Sequence, residues 1–185
     1  MLTRYLVCSV ILILFSYLVF RVVVRKDYLK KSKLSALSYI LEFIVFAVHA
    51  NLMYLFIPVK WPDLPSLPDN LTLKLFFLVM LILGLVILII AWFGLGTGRS
   101  FGQDKNKLNT SGIYQYSRNP QLVGYGIILL SFALLFISWY SLGWLLQYII
   151  ISYFMIRSEE EFLKLRYGEE YESYCRTVPR VIKLF

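Results

Sequence analysis

The stretch Leu108-Asn109-Thr110-Ser111-Gly112-Ile113-Tyr114-Gln115-Tyr116-Ser117-Arg118-Asn119-Pro120 gathers residue types that grip a small polar ligand. Ser111-Gly112 makes a turn, and Tyr114 and Tyr116 offer ring faces and hydroxyls. Pro120 is suited to start a helix, whose free N–H groups attract a carboxylate or a ribose. After 36 uncharged residues, 121–156, the chain reaches Glu159-Glu160-Glu161-Phe162-Leu163. Aromatic faces hold a cationic centre, and a carboxylate binds ligand hydroxyls or an ammonium group. The apolar stretch between the two blocks places them at the water boundary of membrane helices, where a water-soluble cofactor can meet a lipid-soluble substrate.

The elements that position these residues follow from hydropathy. Of the 185 residues 59% are apolar and 16% charged, and mean hydropathy is +0.68, beyond what a soluble globular domain carries. The expected fold is an all-α integral membrane protein, one domain over 1–185, with N-terminal helices in 1–91 and a cofactor-binding and catalytic half in 92–185. A first apolar run, Tyr5 to Val24, lacks the small-residue cleavage site of a signal peptide and reads as a retained helix. A second, Leu34 to Val59, carries one acid, Glu42, and ends in the proline-rich loop Lys60 to Asn70. A third spans Leu75 to Gly98. The uncharged stretch that follows is long enough for two short crossings, broken at Ser138-Trp139-Tyr140-Ser141-Leu142-Gly143. Five transmembrane helices are expected, the last two a tight hairpin with Trp139, Tyr140 and Trp144 at its interfacial tip.

Charge sets the orientation. With the carboxyl end cytoplasmic, all of the 19 Lys and Arg except Arg4, Lys60 and Lys74 lie inside, as the positive-inside rule requires. The net charge of +8 is then a topology signal with some attraction to anionic membrane lipids. No nucleic-acid partner is expected, because the basic residues are scattered over separate loops. Cys8 and Cys175 fall on opposite sides in this topology, so neither a disulfide nor a metal site is expected.

Further candidates accompany the two blocks. The glycines of Trp92-Phe93-Gly94-Leu95-Gly96-Thr97-Gly98 allow close backbone approach, either to a ligand or in helix packing. Arg157 to Gly168 reads as an amphipathic cytoplasmic helical segment with Gly168 as its C-cap. In it Glu159 and Glu160 either face the membrane mouth or form a solvated face. Glu42 and His49 stand seven residues apart on one helix face. An ionisable residue inside a membrane implies a cavity or a partner, so they are candidates for a substrate contact or a base, or else for an interhelical hydrogen bond.

Gly112-Ile113-Tyr114, Arg118-Asn119-Pro120-Gln121-Leu122-Val123-Gly124, Glu159-Glu160 with Leu163, Tyr167-Gly168-Glu169-Glu170-Tyr171, Tyr174 and Val178-Pro179-Arg180 together resemble the isoprenylcysteine carboxyl methyltransferase and phospholipid methyltransferase superfamily of integral membrane enzymes. The resemblance runs from about Trp92 to Ile182. It implies an S-adenosylmethionine site formed by Asn106, Lys107, Leu108, Asn109, Tyr114, Asn119, Pro120, Gln121, Leu122 and Glu159, with Arg157 and Glu160 as candidate catalytic residues and Glu42 and His49 toward the substrate. Asn119 stands where the superfamily usually has histidine, and Leu122 where it has an aromatic residue. Met155 falls where the carboxyl methyltransferases use an arginine, and Arg157 is displaced from it by two positions.

The function this implies is methyl transfer to a lipophilic acceptor from the bilayer, as in the isoprenylcysteine enzymes, or to a phospholipid or small molecule at N, S or O. Such transfer needs chiefly alignment and exclusion of water. A carboxylate or thiolate acceptor is already charged, whereas an amine must first lose a proton to a base. Two other classes stay open. A nicotinamide-dependent membrane reductase resembles this carboxyl-terminal half but is much longer, and a non-catalytic membrane adaptor would bind lipid without any cofactor.

Overall fold

The computed structural model describes residues 1–57, 59–63, 65–95 and 108–182, and these form helices and no strand. Helix α1 covers Leu2–Lys31, with π geometry over Leu18–Val24. It outruns the apolar stretch because Asp27 anchors its end. The Asp27 carboxylate accepts from the Ser35 amide (2.9 Å) and from the Ser35 and Ser38 hydroxyls (2.6 Å for Ser38), and it pairs with Lys31 at 2.7 Å. The same bonds fix the start of α2, Ala36–Leu55, whose N-cap is Ser35 and whose last turn is 3-10.

Helix α3, Leu71–Leu95, begins where Asn70 Oδ1 accepts from the Leu73 amide at 3.0 Å. Helix α4, Pro120–Leu135, has proline in its first turn, where no intrahelical N–H is needed. Helix α5, Trp139–Tyr167, opens with a reciprocal Ser138–Ser141 capping box at the expected break. It stops at Gly168, φ 51°, and α6 follows over Glu169–Thr177.

Among the described residues four helices, α1, α2, α3 and α5, are long and apolar enough to cross a membrane. The fifth expected crossing, α4, has 16 residues. At 1.5 Å per residue that is about 24 Å, short of the roughly 30 Å hydrocarbon layer. The chain is nevertheless a membrane protein on its surface alone. Val79, Ile82, Ile89 and Phe93 of α3 point outward, which water would not tolerate over a whole helix face.

Two packing groups make up the bundle. In one, α3 and α4 touch backbone to backbone at Gly84 and Gly124, where a Cβ on Gly124 would lie 2.7 Å from the Leu88 nitrogen and 2.8 Å from the Gly84 oxygen. In the other, α1, α2 and α5 enclose Phe20, Val45, Trp144 and Ile151. At one end of that group Tyr5 donates to the Tyr140 carbonyl (2.8 Å), and Gln147 donates to Tyr5 (2.9 Å) and Ser9 (3.0 Å). Helix α6 folds back through Tyr171, Tyr174 and Val178 onto Leu108.

Candidate functional site

Successive residues on an α-helix point about 100° apart, so the three glutamates near the end of α5 face three directions. Glu161 turns to α1 and pairs with Arg21 (2.7 Å) and Arg25 (2.5 Å). Glu160 turns to the carboxyl segment, where Arg180 donates from Nε (2.8 Å) and Nη2 (2.6 Å) and Arg118 approaches at 3.0 Å. Glu159 is partly buried, and its charge is felt by Tyr28 of α1, Glu42 of α2, Tyr114 and Tyr174. Among the described residues no Lys or Arg pairs with Glu159 or with Glu42. Two acids of the row are neutralised by described arginines, and the third faces phenols and a second acid.

The connection between α3 and α4 is held to the end of α3 and to the carboxyl segment at several points. Asn109 donates to the Gly94 carbonyl at 3.0 Å and accepts from Ser111, which sets the turn into Gly112–Gln115. Gly112 has φ 59°, a conformation that a side chain would strain. Tyr114 is buried, donates to the Ala91 carbonyl at 3.2 Å, and its own carbonyl accepts from Tyr174 at 2.6 Å. Farther on, the Arg118 backbone N–H donates to the Pro179 carbonyl (3.0 Å), and Asn119 Nδ2 donates to the Arg180 carbonyl (3.0 Å).

Burial, reinforced by the Glu159 charge, pushes the Tyr114 phenol well above its ordinary range. Burial does the same to Tyr171, where Glu160 adds to it, and lifts Tyr174 to about 12. All three hydroxyls therefore stay protonated near neutral pH. They can donate hydrogen bonds but cannot serve as bases.

Leu108 packs on Tyr171 and Tyr174, Tyr174 holds the Tyr114 carbonyl, Asn109 is tied to Gly94 and Asn119 to Arg180, Pro120 is fully buried, and the Glu159 charge is felt by Tyr114 and Tyr174. Gln121 is partly buried in the first turn of α4, and the Leu122 carbonyl accepts from the Tyr148 hydroxyl. Asn106 and Lys107 lie outside the described residues.

Arg157 and Glu160 stand elsewhere. They line a 360 Å³ cleft with Arg118, Lys164, Tyr171 and Arg180, on a different side of α5 from Glu159. Both Glu160 oxygens are engaged by arginines. Glu160 thus ties the carboxyl segment to α5, and Arg157 is exposed at the cleft.

Glu42 and His49 also part company. His49 is fully buried, donates from Nε2 to the Trp144 carbonyl at 3.0 Å and stacks on that indole at 5.3 Å. Trp144 Nε1 in turn donates to the His49 carbonyl at 2.7 Å. His49 thus takes the interhelical role, while Glu42, about 10 Å along the helix, faces Glu159. Sequence reasoning missed Tyr28, which stacks on Phe162 at 4.8 Å and feels the Glu159 charge. No spacing pattern near the end of α1 signals it.

The family model of phospholipid methyltransferases matches residues 71–170. The chain belongs to that family. The matched residues run from α3 through the connection, α4 and α5 into α6, and so contain Tyr114 and Glu159 but neither Glu42 nor Arg180. Membership makes the protein a membrane methyltransferase and agrees with the superfamily that the sequence blocks resemble. No curated protein and no solved structure matches the chain.

Proposed function

We propose that this methyltransferase takes its methyl group from S-adenosylmethionine, held by Glu159 and the α3–α4 connection, and delivers it to a lipophilic acceptor that arrives from the bilayer. The observation that carries this reading is a carboxylate, Glu159, with no ion pair among the described residues, set beside Tyr114 under a connection built of turns and amide groups. The donor set fits the cofactor, which presents an ammonium group and hydroxyls to a carboxylate and a sulfonium to aromatic rings. In this reading Asn109 and Asn119, held by Gly94 and Arg180, frame the site, with Asn106, Lys107 and Gln121 adjoining in sequence. When bound, the cofactor supplies an activated methyl carbon. The chain's own residues align it, keep water out and need no metal for that work.

A 210 Å³ pocket lies between α2, α4 and α5, lined by Met53, Tyr125, Ile128, Leu129, Phe132 and Trp144. In this reading its largely apolar wall accommodates an aliphatic tail of the acceptor. In this reading the basic end of the bundle, with the carboxyl terminus, faces the cytoplasm. Membranes containing the protein, incubated with methyl-labelled S-adenosylmethionine, should place label in the lipid extract. Label appearing in no fraction, lipid or protein, would overturn the proposal.

A further inference from the structure

Arg157, Glu160 and Lys164 share one face of α5, and the proposed methyl transfer uses none of them. With Arg118, Tyr171 and Arg180 they line the 360 Å³ cleft. The charge of this cleft does not cancel. Glu160 is held by two guanidinium groups, Arg118 and Arg180, and Glu161 by two more, Arg21 and Arg25, so each trio keeps one positive charge. Lys164 is matched by Glu172 at 2.8 Å. Arg157 is exposed and makes no hydrogen bond or ion pair among the described residues. Arg118 Nε is buried and has no hydrogen-bond partner among them either. The cleft thus combines unused donors with an excess of positive charge, which suits a phosphate and repels an ammonium.

The same face continues along the apolar length of the helix. Leu142, Leu146, Ile149 and Tyr153 lead into Arg157 at steps of three or four residues, and all four are more than half exposed. Leu142 to Tyr153 is about 16 Å of helix, close to one leaflet of the roughly 30 Å hydrocarbon layer. Arg157 is the first charged residue after this run, so it stands at the depth of lipid headgroups. We infer that the cleft binds an anionic phospholipid, with the phosphate on Arg157 beside the two arginine trios and an acyl chain along the stripe from Leu142 to Tyr153. The planar Arg157 guanidinium can grip a phosphate with two N–H groups. A choline headgroup brings a cation of its own against the positive excess, so charge selects the anionic lipid. This lipid is not the methyl acceptor, because the cleft lies on a different side of α5 from Glu159. Held there, it fixes the depth at which α5 leaves the membrane and covers the arginines that tie the carboxyl segment to the bundle.

The test compares wild type, Arg157→Gln, Arg157→Lys and Lys26→Gln purified in detergent. Each variant's melting temperature first shows an intact fold, as expected at exposed positions. Native mass spectrometry then titrates each protein with dioleoylphosphatidylglycerol and with dioleoylphosphatidylcholine, with no methyl donor present. Wild type should bind the phosphatidylglycerol at least about tenfold more tightly than the phosphatidylcholine. Arg157→Gln should lose about fivefold in affinity for the anionic lipid, and Arg157→Lys, which keeps the charge, should lose less. Lys26→Gln removes an equal charge from the same end of the bundle outside the cleft and should bind as wild type does. Equal affinity of wild type for the two lipids, or equal losses in Arg157→Gln and Lys26→Gln, would overturn the site. Displacement of the phosphatidylglycerol by inorganic phosphate at millimolar concentration would overturn its assignment to a lipid. With no donor in the experiment, a failure here is distinct from a failure of S-adenosylmethionine binding.

Discussion

Removing one charge, with Glu160→Gln, separates the clamp from a reaction role. The wild-type carboxylate meets Arg118 at 3.0 Å and Arg180 at 2.8 and 2.6 Å. The Arg118 and Glu160 side chains are 11% and 14% exposed, so their pairing is poorly screened, whereas Arg180 is 46% exposed and its pairing counts for less. Loss of a mostly buried pair together with a half-exposed one gives about 2 kcal/mol of local destabilisation, or roughly thirtyfold in the opening equilibrium. The opening should be local, because Arg180 and its neighbours tie α6 to the start of α4 through Asn119 and Arg118. Hydrogen exchange read by mass spectrometry should show protection falling by about that factor over 169–182, with α1 and α2 unchanged. Donor affinity should weaken in step, since Tyr174 holds the Tyr114 carbonyl from the same segment. Normal exchange combined with abolished methyl transfer would refute the clamp and return Glu160 to the reaction.

Other consequences can be checked independently. Gly124→Leu drives a side chain into the Leu88 and Gly84 backbone and should cost about 3 kcal/mol, seen as a lowered melting temperature in detergent. Tyr174→Phe removes a buried 2.6 Å bond, about 1 kcal/mol, and should weaken donor binding several-fold while leaving the fold intact by circular dichroism. His49→Phe removes the bond to Trp144 and should lower thermal stability in detergent without altering donor affinity, as calorimetry would show. The fold raises the Tyr174 phenol to about 12, so its contribution to stability is complete below about pH 10, the ordinary phenol value. It should be lost as pH climbs from about 10 through 12, visible as a falling melting temperature over that window.

The parts of this architecture that depend on neighbours in sequence were legible before any coordinates. The Ser138–Ser141 break, the proline start of α4 and the Gly168 stop all act within one turn of the residue concerned, and the structure shows each of them. The end of α1 was not legible. Arg25 to Lys31 looks like a charged loop, and only the Asp27 contacts with Ser35 and Ser38, across the turn, keep it helical. The length of α4 was likewise hidden, since an uncharged run does not reveal where within it a helix stops. In the site, Tyr114 and Glu159 could be paired from their spaced blocks. Glu160 looked equivalent to Glu159, because hydropathy does not register a difference of about 100° around a helix when the deciding partners, Arg118 and Arg180, come from other segments. Glu42 and His49 shared a face by spacing, and Trp144 separated their roles.

The most direct measurement is a calorimetric titration of S-adenosylhomocysteine into the detergent-purified protein, wild type beside Glu159→Gln. Saturable binding by wild type, weakened at least about tenfold by loss of the carboxylate charge, is the expected result. No heat of binding by wild type at millimolar ligand, or equal affinity in the two proteins, would contradict the assignment of Glu159 to the methyl donor.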